Sequence, residues 1–414
     1  MASEPTYSAR EAAAALGVSV PTLYAYVSRG LIRSQAGGPQ DGARARRYHA
    51  DDVRRLQERK EQRRDPGRAA AEALHWGSPV LESSITLPAA HTFYYRGHDA
   101  LQLARDRSVE EVAALIWVDD LDAGQALFTA PTAPLPPRAA VVARECTGLE
   151  TADRFAVVLP LAAAGDPSAY DLRPIAVPHT GARILQLLTT IAVGEQPMAG
   201  GIAEALAHGW TPGDPHADGL FRAALVLCAD QELNVTSFAA RCVASAAATP
   251  YAVVSAGLAA LGGAKHAGRG ARILALLREA GSADRARAVV AERLRRGEPV
   301  PGFGHALFPE GDPRGKMLLE LTAQARPDCE AVTRSLAVAA AAWELLHERP
   351  DVEFGLVTLA EALQLPPGGA NALFALSRTI GWIGHAMEEY QVDRMIRPRA
   401  RYVGERPTGR EASG

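Results

Sequence analysis

The sequence predicts an all-α body preceded by a small helix-turn-helix unit. Helix-like apolar periodicity recurs along most of the chain, in Leu185–Val193, Ile202–Ala207, Phe221–Leu227, Thr236–Ala247, Ala252–Leu261 and Ala271–Ala280. It continues in Ala286–Arg296, Lys316–Ala325, Cys329–Leu346, Gly355–Leu363 and Ala370–Met387. Pro, Gly and Asp punctuate the gaps, so the loops are short. The first seventy or so residues instead read as two capped helices, a glycine-rich loop and an arginine cluster. Charge divides at the same place. Met1–Arg68 holds 13 Lys/Arg against 8 Asp/Glu, although the whole chain carries a net charge of −3. A basic end on an acidic body is the pattern of a nucleic-acid-binding appendage.

Ser8 is placed to cap a helix over Ala9–Leu16, with Glu11 as the return acid of a capping box. Gly17 ends that helix. Ser19 caps a second one, with Pro21 in its first turn and Gly30 at its end. This spacing presents the second helix to a DNA major groove, with Thr22, Tyr24, Ala25 and Arg29 on or near its exposed side. Gly37, Gly38, Pro39 and Gly42 then form a loop, and Arg44, Arg46 and Arg47 give a hairpin wing its phosphate contacts. A charged helix over His49–Arg64 follows. The run Tyr7–Ala13, Leu16–Ser19, Thr22–Tyr24, Arg46–Tyr48 and Asp52-Val53 closely resembles MerR/excisionase-type winged helix-turn-helix domains. Residues 1–66 are assigned to that domain, possible DNA binding being the implied role, and 67–76 to a linker.

Bulk properties narrow the remaining classes. Apolar residues make up 48% of the chain and charged residues 22%, an ordinary balance with ample material for a large core. The cysteines Cys146, Cys228, Cys242 and Cys329 are far apart, so neither a zinc site nor a disulfide framework is indicated and no metal is expected. There is no apolar signal core and no run long enough to span a bilayer, which points to the reducing cytoplasm and away from a membrane. GxGxxG and GxxxxGK[ST] loops are absent, which argues against a Rossmann or P-loop nucleotide site.

Two histidines lie in glycine-flanked segments. His266 is in Gly262–Gly270, and His305 is in Pro301-Gly302-Phe303-Gly304-His305, followed by Asp312-Pro313-Arg314. Small residues around an imidazole imply a tight turn or a closely bound ligand. Further motifs surround them: Leu81–Thr86, Tyr95–Asp99, Ser108–Trp117, Cys228–Asn234 with Thr236–Arg241, Ser377–His385 and Arg397-Pro398-Arg399. In this order and near this spacing they resemble the citrate synthase family. The resemblance implies an all-α homodimer with a large domain (77–267 and 377–414) and a small domain (268–376) that closes over the substrates.

What the resemblance implies chemically is a carbon–carbon condensation of acetyl-CoA, or propionyl-CoA, with oxaloacetate or a related 2-oxo acid. No cofactor is expected, the CoA thioester being a substrate. A thioester α-proton is weakly acidic, so the base needs help from stabilisation of the enolate oxygen while the ketone is polarised. By resemblance His266 serves the thioester oxygen and His305 the ketone oxygen. Glu353, in Asp351-Val352-Glu353-Phe354, takes the place of the family's aspartate base, and Asp351 is the alternative if the register differs. The extra methylene shifts the carboxylate by roughly 1 Å or more. Arg314, Arg378 and Arg397 fall at the family's carboxylate-binding positions, the last typically given by the partner subunit. Gln231 stands where the family has a histidine in Ala-Asp-His-Glu, and it cannot carry positive charge. Lys265 and Arg269 read either as CoA-phosphate contacts or as solvated cations. Gln231, Glu353 and the basic N-terminal unit also suit a second function, a DNA-binding regulator whose body senses acyl-CoA or keto acid with little turnover.

Overall fold

The computed structural model describes residues 6–36, 46–53, 56, 81–129, 135–194, 200–266, 268–392, 394–400 and 402–405. Arg44, the 67–76 linker and most of the His49–Arg64 segment lie outside them. The chain divides into two compact units, Met1–Glu82 and Ser83–Gly414.

In the first unit both halves of the Ser8/Glu11 capping box form, and they start the helix Ala9–Ala15. Gly17 turns at φ +61°, where a side chain would be strained. Ser19 then accepts the Thr22 N–H and starts Val20–Ser28, with Pro21 in the first turn. Strands Thr6–Tyr7 and Ser34–Ala36 flank Arg46–His49 in a three-stranded antiparallel sheet. Leu23, Ile32, Tyr48 and Val53 close a small core beneath the two helices. Buried Asp52 accepts the Arg33 backbone N–H at 2.8 Å and its Nε at 2.9 Å, tying the hairpin to the turn at Ala50–Val53.

The second unit opens with a short antiparallel sheet, Thr86–Pro88, Phe93–Tyr95 and His98–Asp99. Among the described residues, every regular element after it is helical. Ser108 and Glu111 form the expected capping box on Val109–Val118. The helix Thr151–Ala163, which the periodicity did not predict, carries Pro160 inside it. A proline near a helix end breaks the sequence signal more than the helix.

The organising element is Gly369–Tyr390, buried along nearly its whole length. Helices Val177–Val193, Ala217–Leu227, Val235–Ala244, Pro250–Leu261 and Val352–Ala362 pack around it. A helix that is apolar on all sides must be enclosed in this way. Small residues let the neighbours come close. A Cβ on Gly257 would sit 2.4 Å from the Trp382 ring, and one on Gly381 would sit 2.5 Å from the Ala229 carbonyl. The Gly381 N–H donates to that carbonyl at 3.0 Å, so the central helix fixes the turn that carries Gln231.

A second apolar cluster contains Ile273, Leu277, Val290, Phe303, Val338 and Phe354, separate from the main one. The helix Val352–Ala362 belongs to both. Phe354 and Val357 face the second cluster, while Val352, Leu356 and Leu359 face the main one. At 100° per residue Glu353 falls on the seam between these faces.

Candidate active site

The His305 segment and the Glu353 segment are laced together by backbone. Gly304 N–H donates to Arg349 O at 3.0 Å, and Asp351 N–H donates to Gly302 O at 2.9 Å. Gly302 and Gly304 have φ of +91° and +74°, which only glycine adopts without strain. Asp312 caps the helix Pro313–Ala325 through the Arg314 N–H and also accepts the Val352 N–H at 3.0 Å. One carboxylate thus joins the starts of two helices. They meet at Gly315 and Gly355, where a Cβ on Gly315 would lie 2.3 Å from Asp351 O.

Around this joint the structure gathers Gln231, His305 and Arg314. Arg314 is 1% exposed, and its Nε and Nη2 grip Asp312 at 2.9 and 2.8 Å. Its Nη1 donates to Gln231 Oε1 at 2.7 Å. The Gln231 amide nitrogen lies 2.6 Å from His305 Nε2, while His305 Nδ1 accepts the Leu307 N–H at 3.1 Å. Burial, then the Arg314 charge, pushes His305 down to about 4, so the ring is neutral near pH 7. With Nδ1 accepting, the neutral ring carries its hydrogen on Nε2. That N–H therefore meets an amide NH₂, donor against donor, and an incoming oxygen would satisfy both.

Arg378 sharpens the imbalance. It is 0% exposed, and its Nε donates to Cys228 O at 2.9 Å. Its Nη1 and Nη2 have no hydrogen-bond partner among the described residues. The guanidinium lies 4.7 Å from the Phe374 ring centroid, and burial pulls its pKa down. A buried donor without an acceptor is costly, and a carboxylate or carbonyl oxygen is the kind of group that would relieve it.

The second half of the site is a cavity of about 380 Å³ whose lining includes His266, Glu353, Leu274, Leu356, Val357, Phe374 and the loop Leu365–Gly369. His266 sits in the turn between Pro250–Leu261 and Gly268–Ala280, its ring edge-on to Phe374 at 5.4 Å. Burial, then Arg378 and Arg269, pushes it down to about 4 and leaves it neutral. Burial, then the Asp351 charge, pushes Glu353 up to about 7. Glu353 Oε2 lies 3.1 Å from Arg269 Nε without the alignment of a hydrogen bond. Asp351 is engaged otherwise. It is the N-cap of Val352–Ala362, accepting the Phe354 N–H at 2.9 Å, and Arg269 Nη2 holds its other oxygen at 2.6 Å. Of the two carboxylates, only Glu353 lines the cavity.

Some sequence expectations meet a different outcome. Arg269, open in the sequence between a CoA-phosphate contact and a solvated cation, bridges Asp351 and Glu353 while staying partly exposed. Lys265 is exposed. Arg397 is exposed too, in the irregular segment after the last helix, and forms no hydrogen bond or ion pair within the chain among the described residues. In the first unit Tyr24 is 52% exposed and Arg29 and Arg46 are exposed, whereas Arg47 is half-buried. The half-buried Thr22 hydroxyl is 2.8 Å from that of Ser19. Sequence reasoning missed the double role of Asp312, although an Asp before Pro-Arg is an N-cap signature. It also missed the buried pair of Asp230 with His385, at 3.2 Å, behind the Gln231 turn. No cluster of metal-ligating side chains occurs among the described residues. None of the described helices is long and apolar enough to cross a membrane.

The second unit is an α-helical body with a cavity at the site, and the first is a helix-turn-helix unit. Residues 73–399 match the citrate synthase C-terminal domain model, and residues 6–61 match a helix-turn-helix domain model. The citrate synthase of Haloferax volcanii is 30% identical over 363 residues, covering 80% of this chain and 95% of the relative. The 2-methylcitrate synthase of Shewanella oneidensis is 30% identical over 205 residues, 49% of this chain and 54% of the relative. The fold is shared with the Thermoplasma acidophilum citrate synthase, solved with carboxymethyl coenzyme A and oxaloacetate. That match has TM-score 0.72 and 19% identity, covering 83% of this chain and 98% of that one. The chain belongs to the citrate synthase family and is a citrate synthase-type transferase.

The Glu353 environment gives a stability test with a definite sign. Its folded pKa of about 7 lies above the ordinary 4.5, so stability is lost as pH rises between the two. Glu353→Gln removes that loss, which is on the order of 3 kcal/mol at most above about pH 7. Thermal unfolding of both proteins should give a higher Tm for Glu353→Gln at about pH 8 and no advantage at about pH 4. An equal difference at both pH values would contradict the assigned environment.

Proposed function

We propose that the chain condenses acetyl-CoA or propionyl-CoA with oxaloacetate or a related 2-oxo dicarboxylate and releases free CoA. The observation that carries the reading is the proximity of two unlike features, Arg378 lying against Phe374 of the cavity wall. One is an apolar cavity ending at a neutral imidazole and a carboxylate titrating near 7. The other is the pair of buried Arg378 donors lacking an acceptor, together with the half-buried Gln231 and His305. Glu353 takes a proton from the carbon beside the thioester carbonyl, and the electron pair moves onto the thioester oxygen, facing a His266 N–H. The enolate carbon attacks the ketone carbon, and His305 donates to the ketone oxygen as it becomes an alkoxide. Water then cleaves the thioester. The base has a pKa near the working pH, where proton transfer is most effective. Arg314, Arg378 and Gln231 orient the two carboxylates, and the neutral Gln231 leaves the site less cationic than a protonated histidine would.

Arg397 of a second copy completes the carboxylate set in a homodimer, in keeping with its exposure and its lack of partners among the described residues. We read 77–267 with 377–414 as the large domain and 268–376 as the small one, the second apolar cluster being the core of the latter. The reaction needs no cofactor beyond the CoA thioester. The free thiols suit a reducing cytoplasm.

A second reading concerns the N-terminal unit, and the helix-turn-helix match favours it. Tyr24, Arg29 and Arg46 are exposed on the second helix and wing strand, with Thr22, Arg47 and Arg44 as further contacts to DNA. The body would then also report acyl-CoA or keto acid to a regulator.

Free thiol release from oxaloacetate with acetyl-CoA or propionyl-CoA tests the first reading. Wild type should release CoA, and Glu353→Gln should lower kcat by about 10²-fold or more. No release by wild type, with no gain from Gln231→His and Glu353→Asp together, would contradict it. For the second reading, the chain should shift its own upstream DNA with an affinity that falls as salt rises. Deleting residues 1–66 should abolish the shift, and an unchanged shift would exclude this unit as the reader.

A further inference from the structure

The segment that carries His266 also carries a cation aimed at Glu353. Arg269 lies in the first turn of Gly268–Ala280, and its backbone N–H donates to His266 O at 3.0 Å. Its guanidinium spans two carboxylates, with Nη2 2.6 Å from Asp351 Oδ2 and Nε 3.1 Å from Glu353 Oε2. The two ends differ. Asp351 is buried and locked by the Phe354 N–H, so it anchors the guanidinium. Glu353 makes the looser contact and reaches the cavity wall. A glutamate has one more rotatable bond than an aspartate, so its carboxylate needs an external restraint to hold a reactive position.

We propose that Arg269 is a positioning residue for the base: anchored on Asp351, it holds the Glu353 carboxylate at the wall of the cavity beside His266. The inference rests on the reading of Glu353 as the base. In the proton-transfer step Glu353 gains the α-proton and loses its negative charge, the electron pair passing to the thioester oxygen. Arg269 stays paired with Asp351 throughout, so the bridge loosens at one end only. The partly exposed guanidinium has room to do so.

Other groups act on Glu353 from each side. Asp351, at the start of its own helix, opposes its ionisation, while Arg269, Arg272 and Arg314 favour it. The Cys228 thiol is also within electrostatic range of Glu353. On the remaining packed helices, Arg334 of Glu330–Leu346 pairs with Glu361, and Arg378 of Gly369–Tyr390 acts on His266. Of these cations, Arg269 is the one in direct contact with Glu353.

The test is the pH profile of CoA release by the full-length protein. Arg269→Gln should move the acid-limb midpoint about one unit alkaline, which lowers the ionised base near neutrality about fivefold, with KM for the keto acid unchanged. Arg269→Lys should recover part of the loss. Asp351→Asn, which keeps the helix cap, should move the midpoint the other way. A wild-type midpoint in Arg269→Gln, or a loss equal at every pH with no recovery in Arg269→Lys, would overturn the proposal. Should Arg269→Gln not fold, Arg269→Lys takes the same measurement. One ammonium cannot span both carboxylates, so its midpoint should move alkaline by a smaller amount, and no movement overturns the proposal. Should wild type release no CoA, the condensation reading fails by itself. Infrared titration of the carboxyl band lost in Glu353→Gln then decides about Arg269. A displaced midpoint in Arg269→Gln supports the bridge, and equal midpoints overturn it.

Discussion

Two guanidinium groups without solvent, Arg314 and Arg378, are the constraint on which the second unit is built. Enclosing a charge costs several kcal/mol unless it is paired and hydrogen-bonded. Arg314 meets that condition through Asp312, and the same carboxylate starts one helix and accepts from the first turn of another. Arg378 meets it only in part, at the Cys228 carbonyl. The surrounding architecture holds this uncompensated group in place. The apolar central helix encloses Arg378, and Gly381 lets the Ala229 carbonyl come close enough to fix the Gln231 turn. Stability is given up to keep two donors waiting for a ligand, a disposition found at functional sites rather than in passive cores.

The position of Glu353 follows from a packing problem. Val352–Ala362 serves two apolar clusters, and any residue on the seam between them is turned away from both cores. Glu353 therefore reaches the cavity while its neighbours are enclosed. The seam is dry enough to push its ionisation up, and Asp351 adds to the effect. Arg269 works against both from the helix that begins just after His266. Glu353, His266 and Arg269 thus come from two short segments.

Much of this was readable in the sequence, for local reasons. Ser8 with Glu11 and Ser108 with Glu111 carry the complete chemistry of a capping box, and both formed as expected. The glycine-flanked histidines lie in tight turns, and Gly302 and Gly304 take the positive φ that such a surround implies. What escaped was non-local. Thr151–Ala163 is enforced by its packing against neighbouring helices despite Pro160, which hides its period. Arg269 read as a surface cation because the carboxylates it bridges lie more than eighty residues later in the chain. The different surroundings of Asp351 and Glu353 also needed coordinates, since only the structure shows Asp351 engaged as a cap.

The central claim is that the enclosed donors around Arg378 exist to bind a dicarboxylate 2-oxo acid. Calorimetric titration of the full-length protein with oxaloacetate, without any acyl-CoA, tests it most directly. The account predicts binding to wild type and its loss in Arg378→Met, a variant that should fold at least as stably without ligand because it removes a buried charge. Equal binding by both proteins, or no binding by wild type, would contradict it.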